Sequence, residues 1–141
     1  MPYQTTQHQV RPYLGRWDGN VQGLLGIGSG VSGIVFGLDQ DRVVKIGSST
    51  DPRNIEDIET ERRAYRKLGT RFSPHVLHCF ETENPYGLIL ERCRMTLRNR
   101  IRMGDLTKTD VVIYAKSAAM GLNFIHHCGI IQGDGRYVSR R

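Results

Sequence analysis

The sequence predicts an α+β fold, a five-stranded antiparallel sheet with helices, and three observations carry that prediction. Short runs of β-branched, aliphatic and aromatic residues, separated by glycine- or Asp-containing turns, recur between Leu24 and Glu91. Two segments place apolar residues at helical spacing, one inside this series and one after it. The chain of 141 residues, 38% hydrophobic with 16 Gly, has the composition of one folded domain, which excludes global disorder.

The elements follow in order. Residues 1–19 are polar and dotted with aromatics without a period, and read as an extended lead-in. Leu24-Leu25-Gly26-Ile27 is a short strand running into Gly28-Ser29-Gly30-Val31-Ser32-Gly33. Ile34–Leu38 and Arg42–Ile46 are two further strands around the turn Asp39-Gln40-Asp41, so the three form a meander. A helix is expected over 54–68, stopped by Gly69, with Ile58, Glu61, Tyr65 and Leu68 on one face. Val76–Phe80 and Leu88–Glu91 are strands around Asn84-Pro85-Tyr86-Gly87, and Met95–Met103 is a short basic helix. The last helix, over 109–128, has cap residues in Thr107–Asp110 and a stop at Gly129. Val111, Ala115, Ala118, Leu122 and Ile125 repeat along it at spacings of 4, 3, 4 and 3.

Composition bounds the function. The longest apolar run, Val111–Ala115, is too short for a membrane helix or a signal-peptide core. Met1–Gln7 lacks a basic-then-apolar pattern, so a cytoplasmic or nuclear protein with no membrane partner is expected. A net charge of +6 fits a nucleotide, a nucleic acid or an acidic partner and selects none. Cys79, Cys93 and Cys128 read as three reduced thiols.

The glycine segment is the first chemical signal. A dinucleotide-binding loop of this spacing needs a helix at its third glycine, whereas Gly33 is followed by Ile-Val-Phe and another strand. The remaining alternatives are a hairpin folded over the phosphates of ATP and a hairpin with no ligand. Val35 stands two places after the last glycine and Lys45 lies on the next strand, as the first alternative requires. The helix adds weight. Glu61 shares a face with Ile58, Tyr65 and Leu68, and Lys45 sits among Val and Ile; pairing them offsets both desolvation costs and leaves the ammonium able to hold a phosphate. A tilted helix with Glu61 in solvent and Lys45 snorkelling is the alternative arrangement.

These residues resemble a eukaryotic-type protein kinase, over residues 20–134. Gly28–Val35 is similar to the phosphate-covering loop, Val43-Val44-Lys45-Ile46 to the nucleotide-lysine strand, and Glu61 to its helix partner. Leu88–Cys93 resembles the run into the hinge, and Leu122–Asp134 the long helix with the catalytic-loop entry. Gln132-Gly133-Asp134 replaces the usual His-Arg-Asp, as in fungal kinase-like proteins. The resemblance implies a small lobe over 20–91, then the hinge and the first helices of an incomplete large lobe over 92–134. It implies ATP as ligand and transfer of its γ-phosphate to Ser/Thr hydroxyls. Asp134, Lys45 and Glu61 would be catalytic; Ile27, Gly28, Gly30, Gly33, Val35, Lys45, Leu90, Glu91 and Cys93 would line the nucleotide site.

The pattern then breaks. The family's magnesium-binding Asn falls at Ser139, and no Asp-Phe-Gly follows Asp134. Residues 135–141 read as an aberrant basic tail. The expectation is therefore a truncated nucleotide-pocket fragment, inactive alone, with a non-catalytic pseudokinase-like module as the alternative. Its protein substrate or partner kinase is not legible, and self-association through the apolar stripe of 109–128 is expected. Two other signals are set aside. His75, His78, Cys79 and His126, His127, Cys128 lack paired zinc-knuckle spacing. Five arginines between Arg92 and Arg102 lack the aromatic interleaving of a nucleic-acid surface and read as a solvated face.

Overall fold

A computed structural model describes residues 17–30, 33–48 and 51–131 of the chain. The lead-in up to residue 16, the tip of the glycine hairpin at Val31 and Ser32, and Gln132 onward, Asp134 and the basic tail included, lie outside the described residues. The order is β1 (Leu25–Gly30), β2 (Gly33–Gly37), β3 (Arg42–Ile46), α1 (Pro52–Leu68), β4 (Cys79–Glu81), β5 (Leu88–Glu91), α2 (Leu97–Arg102) and α3 (Lys108–His127). The fold is α+β: five antiparallel strands in the order β1-β2-β3-β5-β4, with three helices.

Several boundaries differ from expectation for identifiable reasons. β1 runs through the glycines to Gly30, because pairing with β2 persists to Gly30 opposite Gly33. β1 carries an irregularity between Gly26 and Gly28, which sets Ile27 out of the ladder as a bulge. α1 begins two residues early at Pro52, whose ring suits a first helical position, with Asp51 accepting from the Arg53 N–H at 3.0 Å. β4 begins at Cys79. Val76 lies in a turn closed by its N–H on Ser73 O (3.3 Å), and its side chain is buried there.

The chain divides into two compact units. One contains the residues up to Arg66 with His78–Arg92; the other contains Lys67–Leu77 with Cys93 onward. The first unit has its core on one face of the sheet, where Trp17, Leu38, Val44 and Ile89 are buried with Val21, Leu24, Phe36 and Ile46 around them. Trp17, assigned by sequence to the lead-in, is thus a central core residue. Its Nε1 donates to Asn20 O (3.0 Å), and its ring meets Tyr86 edge-on at 6.2 Å.

In the second unit, α3 carries a reciprocal cap: Thr107 Oγ1 accepts from the Asp110 N–H (3.1 Å) and Asp110 Oδ2 from the Thr107 N–H (3.0 Å). The Thr107 backbone bond, then its hydroxyl, hold the Asp110 carboxyl below the usual carboxylate range. The sign follows: the folded state binds this proton less readily than the unfolded chain, so the cap stabilises above the ordinary carboxylate pKa. That contribution is lost as pH falls through the lowered folded value. Thr107→Ala is expected to cost about 1 kcal/mol and to speed amide exchange at Asp110 and Val111, with a smaller effect in acid.

The expected apolar stripe of α3 is covered only in part. Ile125 and Gly121 are buried and Leu122 is half-buried, whereas Val111 and Ala115 are exposed, as are Val112, Ile113 and Met120. Two contacts tie the segment 67–77 to α3 and the residues after it. His75 Nδ1 lies 2.9 Å from Ser117 Oγ, and the Lys67 side chain lies against Gly129. α2, capped by Thr96, buries none of its residues. Among the described residues no helix is long and apolar enough to cross a membrane.

Candidate functional site

Strand register gathers residues that are scattered in sequence. Gly28 stands opposite Val35, Val35 opposite Lys45, and Lys45 opposite Leu88, a single row across four strands. The neighbouring row is Gly37, Val43, Leu90 and Cys79. Strand alternation puts these rows on the face opposite the Trp17 core, two residues apart on β2, β3 and β5. Gly28, Val35, Lys45 and Leu90, four of the residues expected to line a nucleotide site, therefore share one face.

The same face carries the expected ion pair. Lys45 Nζ donates to Glu61 Oε1 at 2.8 Å and to Oε2 at 2.9 Å. Both side chains are largely withdrawn from water, 12% and 18% exposed, so the pair is shielded by neither bulk solvent nor salt to the degree of a surface bridge. The bidentate geometry excludes the arrangement with Glu61 turned to solvent. An ammonium has three N–H donors; two are spent on Glu61, which leaves one donor and the positive charge for an incoming oxyanion.

α1 is held in this position from its other side. Arg62, buried and next to Glu61, donates through Nη1 to Thr82 O (2.7 Å) and Asn84 O (2.6 Å), and through Nε to Glu59 (3.1 Å). Asn84, itself buried, donates from Nδ2 to Trp17 O (2.9 Å) and accepts from the Tyr86 N–H (2.9 Å). One polar chain thus links helix, β4–β5 turn and core tryptophan. None of these residues was singled out in the sequence; Arg62 sits in a Glu-Arg-Arg run with nothing to distinguish it from a surface arginine.

The glycines have different causes. Gly33 has φ +138°, and a Cβ there would lie 2.3 Å from Ile46 O, so the fold itself demands glycine. At Gly28 a Cβ would meet no protein atom within 4 Å, so the fold makes no such demand. Gly30 pairs with Gly33 at the end of the hairpin. Ile27 is exposed on the bulge.

At the end of β5, Leu90 is buried, and Glu91 forms a reciprocal pair with His78: its N–H donates to His78 O (2.9 Å) and its Oε1 accepts from the His78 N–H (3.0 Å). Cys93 is exposed and belongs to the second unit. Asp134 lies outside the described residues. None of the three cysteines is in a disulfide; burial pushes the Cys79 thiol up, and its Sγ donates to Glu81 O (3.3 Å).

The other sequence clusters are used structurally. His75 bonds Ser117, His78 stacks edge-on with Phe80 at 4.8 Å, and His127 Nδ1 contacts Asn123 O at 2.9 Å. Among the described residues, no group of three or more His, Cys, Asp or Glu is placed to hold a metal ion. Within the arginine run, Arg92 bonds Asp39 O, and Arg100 pairs with Asp105 and, at 3.7 Å, with Asp110. Comparison of the chain with protein-family models, with curated proteins and with solved structures returns no match.

Proposed function

We propose that the first unit binds the phosphates of a nucleotide, ATP in the reading that the kinase resemblance suggests, with Lys45 as the phosphate ligand. The observation that carries this is the Lys45–Glu61 pair, half-buried in the sheet face shared with Gly28 and Val35. A pair kept for stability alone gains little there, because the desolvation penalty of withdrawn charges can exceed their Coulombic gain. Gly28 supports the reading from a different direction, because its lack of a side chain serves no contact within the fold and would let a ligand approach the backbone.

The sheet with α1 also supports the proposed likeness to a kinase small lobe, whose family chemistry is phosphoryl transfer to Ser/Thr hydroxyls. In that family magnesium neutralises the phosphate charge. The sequence does not supply the family's ligand at its expected place, where Ser139 stands instead of Asn, and no Asp-Phe-Gly follows Asp134. No transfer step is therefore derived, and Ser139 favours the second reading, a pseudokinase-like module that binds nucleotide or a partner protein and transfers nothing.

Calorimetric titration of the full chain with ATP tests the reading. Lys45→Met removes the charge-assisted bond to phosphate and is expected to weaken ATP binding by about 10-fold or more. ATP binding that is unchanged in the variant, with fold intact by circular dichroism, would reject Lys45 as the ligand.

A further inference from the structure

The two units differ in charge. The described residues of the second, Lys67–Leu77 and 93–131, hold eight Lys and Arg against two Asp and no Glu. Those of the first hold seven Lys and Arg against eleven Asp and Glu. Both aspartates of the second unit serve Arg100, which pairs with Asp105 and, at 3.7 Å, with Asp110, tying α2 to the first turn of α3. Arg98, Arg102, Lys108 and Lys116 on the two helices are exposed. Interspersed with them, Ile101, Met103, Val111, Val112, Ile113 and Met120 are each about half exposed. Val111–Tyr114 take four successive positions, about 100° apart, so they face every side of α3. A helical turn that is apolar all round is ordinarily buried.

We propose that α2 and α3 form a docking surface for an acidic amphipathic segment of another protein, a helix with aliphatic residues on one side and Asp or Glu on the other. Charge selects this occupant. An isologous contact with a second copy would set these cations against themselves. A nucleic acid would match the charge but would place Val, Ile and Met against phosphates, which aliphatic side chains neither bond nor stack upon. An anionic membrane is flat, and a plane reaches one side of a helix, not the whole circumference that Val111–Tyr114 occupy. A protein helix laid along α2 and α3 buries its aliphatic anchors on theirs while its carboxylates meet the cations at the rim. The proposal concerns the second unit and does not depend on the nucleotide reading of the first.

The test uses the full chain and two synthetic peptides of identical composition, made of Leu, Ala and Glu and about five helical turns long. One peptide spaces its Leu as a helical stripe; the other is scrambled. Fluorescence anisotropy should show the amphipathic peptide binding about 10-fold tighter than the scrambled one. Val112→Glu, at a position 64% exposed and so outside any core, should weaken that binding by about 10-fold. Arg98→Glu with Arg102→Glu should also lose the peptide, and should gain a version in which Lys replaces Glu, a gain that misfolding cannot imitate. No binding, equal binding of both peptides, or binding indifferent to these variants overturns the proposal. Tighter binding to phosphatidylserine vesicles or to oligouridylate also overturns it, assigning the surface to a membrane or to RNA. A dimer in sedimentation that Val112→Glu dissolves overturns it as well, in favour of a second copy.

Discussion

Arg62→Ala is expected to destabilise the first unit by about 3–5 kcal/mol, because it removes two charge-assisted bonds and strands the acceptors they served. Thr82 O and Asn84 O each accept from Arg62 Nη1 at under 2.8 Å, and the residue is only 3% exposed, so water cannot replace it without opening the turn. Lysine is not an adequate substitute. One guanidinium nitrogen reaches both carbonyls while another holds Glu59, and a single ammonium on a flexible stem does not reproduce that fork. Arg62→Lys is accordingly expected to recover less than half of the loss in urea unfolding. The same variants should weaken ATP binding in proportion, since Arg62 fixes the helix that carries Glu61.

Trp17→Ala should cost a comparable amount, about 3–5 kcal/mol, through lost burial and an unfilled cavity beside Val44 and Ile89. Stabilities of small domains are themselves about 5–15 kcal/mol, so this variant should unfold at low urea or be unfolded at once. Because Asn84 bonds both the Trp17 carbonyl and the Tyr86 N–H, Trp17 and Arg62 share a network. A double-mutant cycle of Asn84→Ala with Arg62→Lys should therefore be non-additive by about 0.5 kcal/mol or more. Additivity would mean that the turn 82–86 does not transmit strain between helix and core.

What sequence could and could not reveal follows from the range of each interaction. β3 and β5 were legible to the residue, since Arg42-Val43-Val44-Lys45-Ile46 and Leu88-Ile89-Leu90-Glu91 are compact β-forming runs bounded by turns. The α3 cap and stop were legible because they are local chemistry between Thr107 and Asp110 and at Gly129. Lys45 and Glu61 were legible as a pair only because each was a charge in an apolar pattern. Arg62, Asn84 and Trp17 were not, because their partners lie 20, 67 and 67 residues away along the chain and their types are ordinary in helices, turns and leads. The stripe of α3, expected to be open enough for self-association, is exposed at Val111 and Ala115 but buried at Ile125, because periodicity reports which side chains share a face and says nothing of what lies against them.

Lys45 offers the most direct measurement. An acyl phosphate of ATP delivers its acyl group to an amine close to the bound phosphates, forming an amide on lysine as the nucleotide leaves. The chain has four lysines, and Lys67, Lys108 and Lys116 are all exposed while Lys45 is not. If the Lys45–Glu61 pair lies in a nucleotide site, mass spectrometry should find Lys45 modified first, and excess unlabelled ATP should prevent that modification alone. Modification that follows exposure, reaching Lys67, Lys108 and Lys116 while Lys45 stays untouched or is indifferent to ATP, would contradict the assignment.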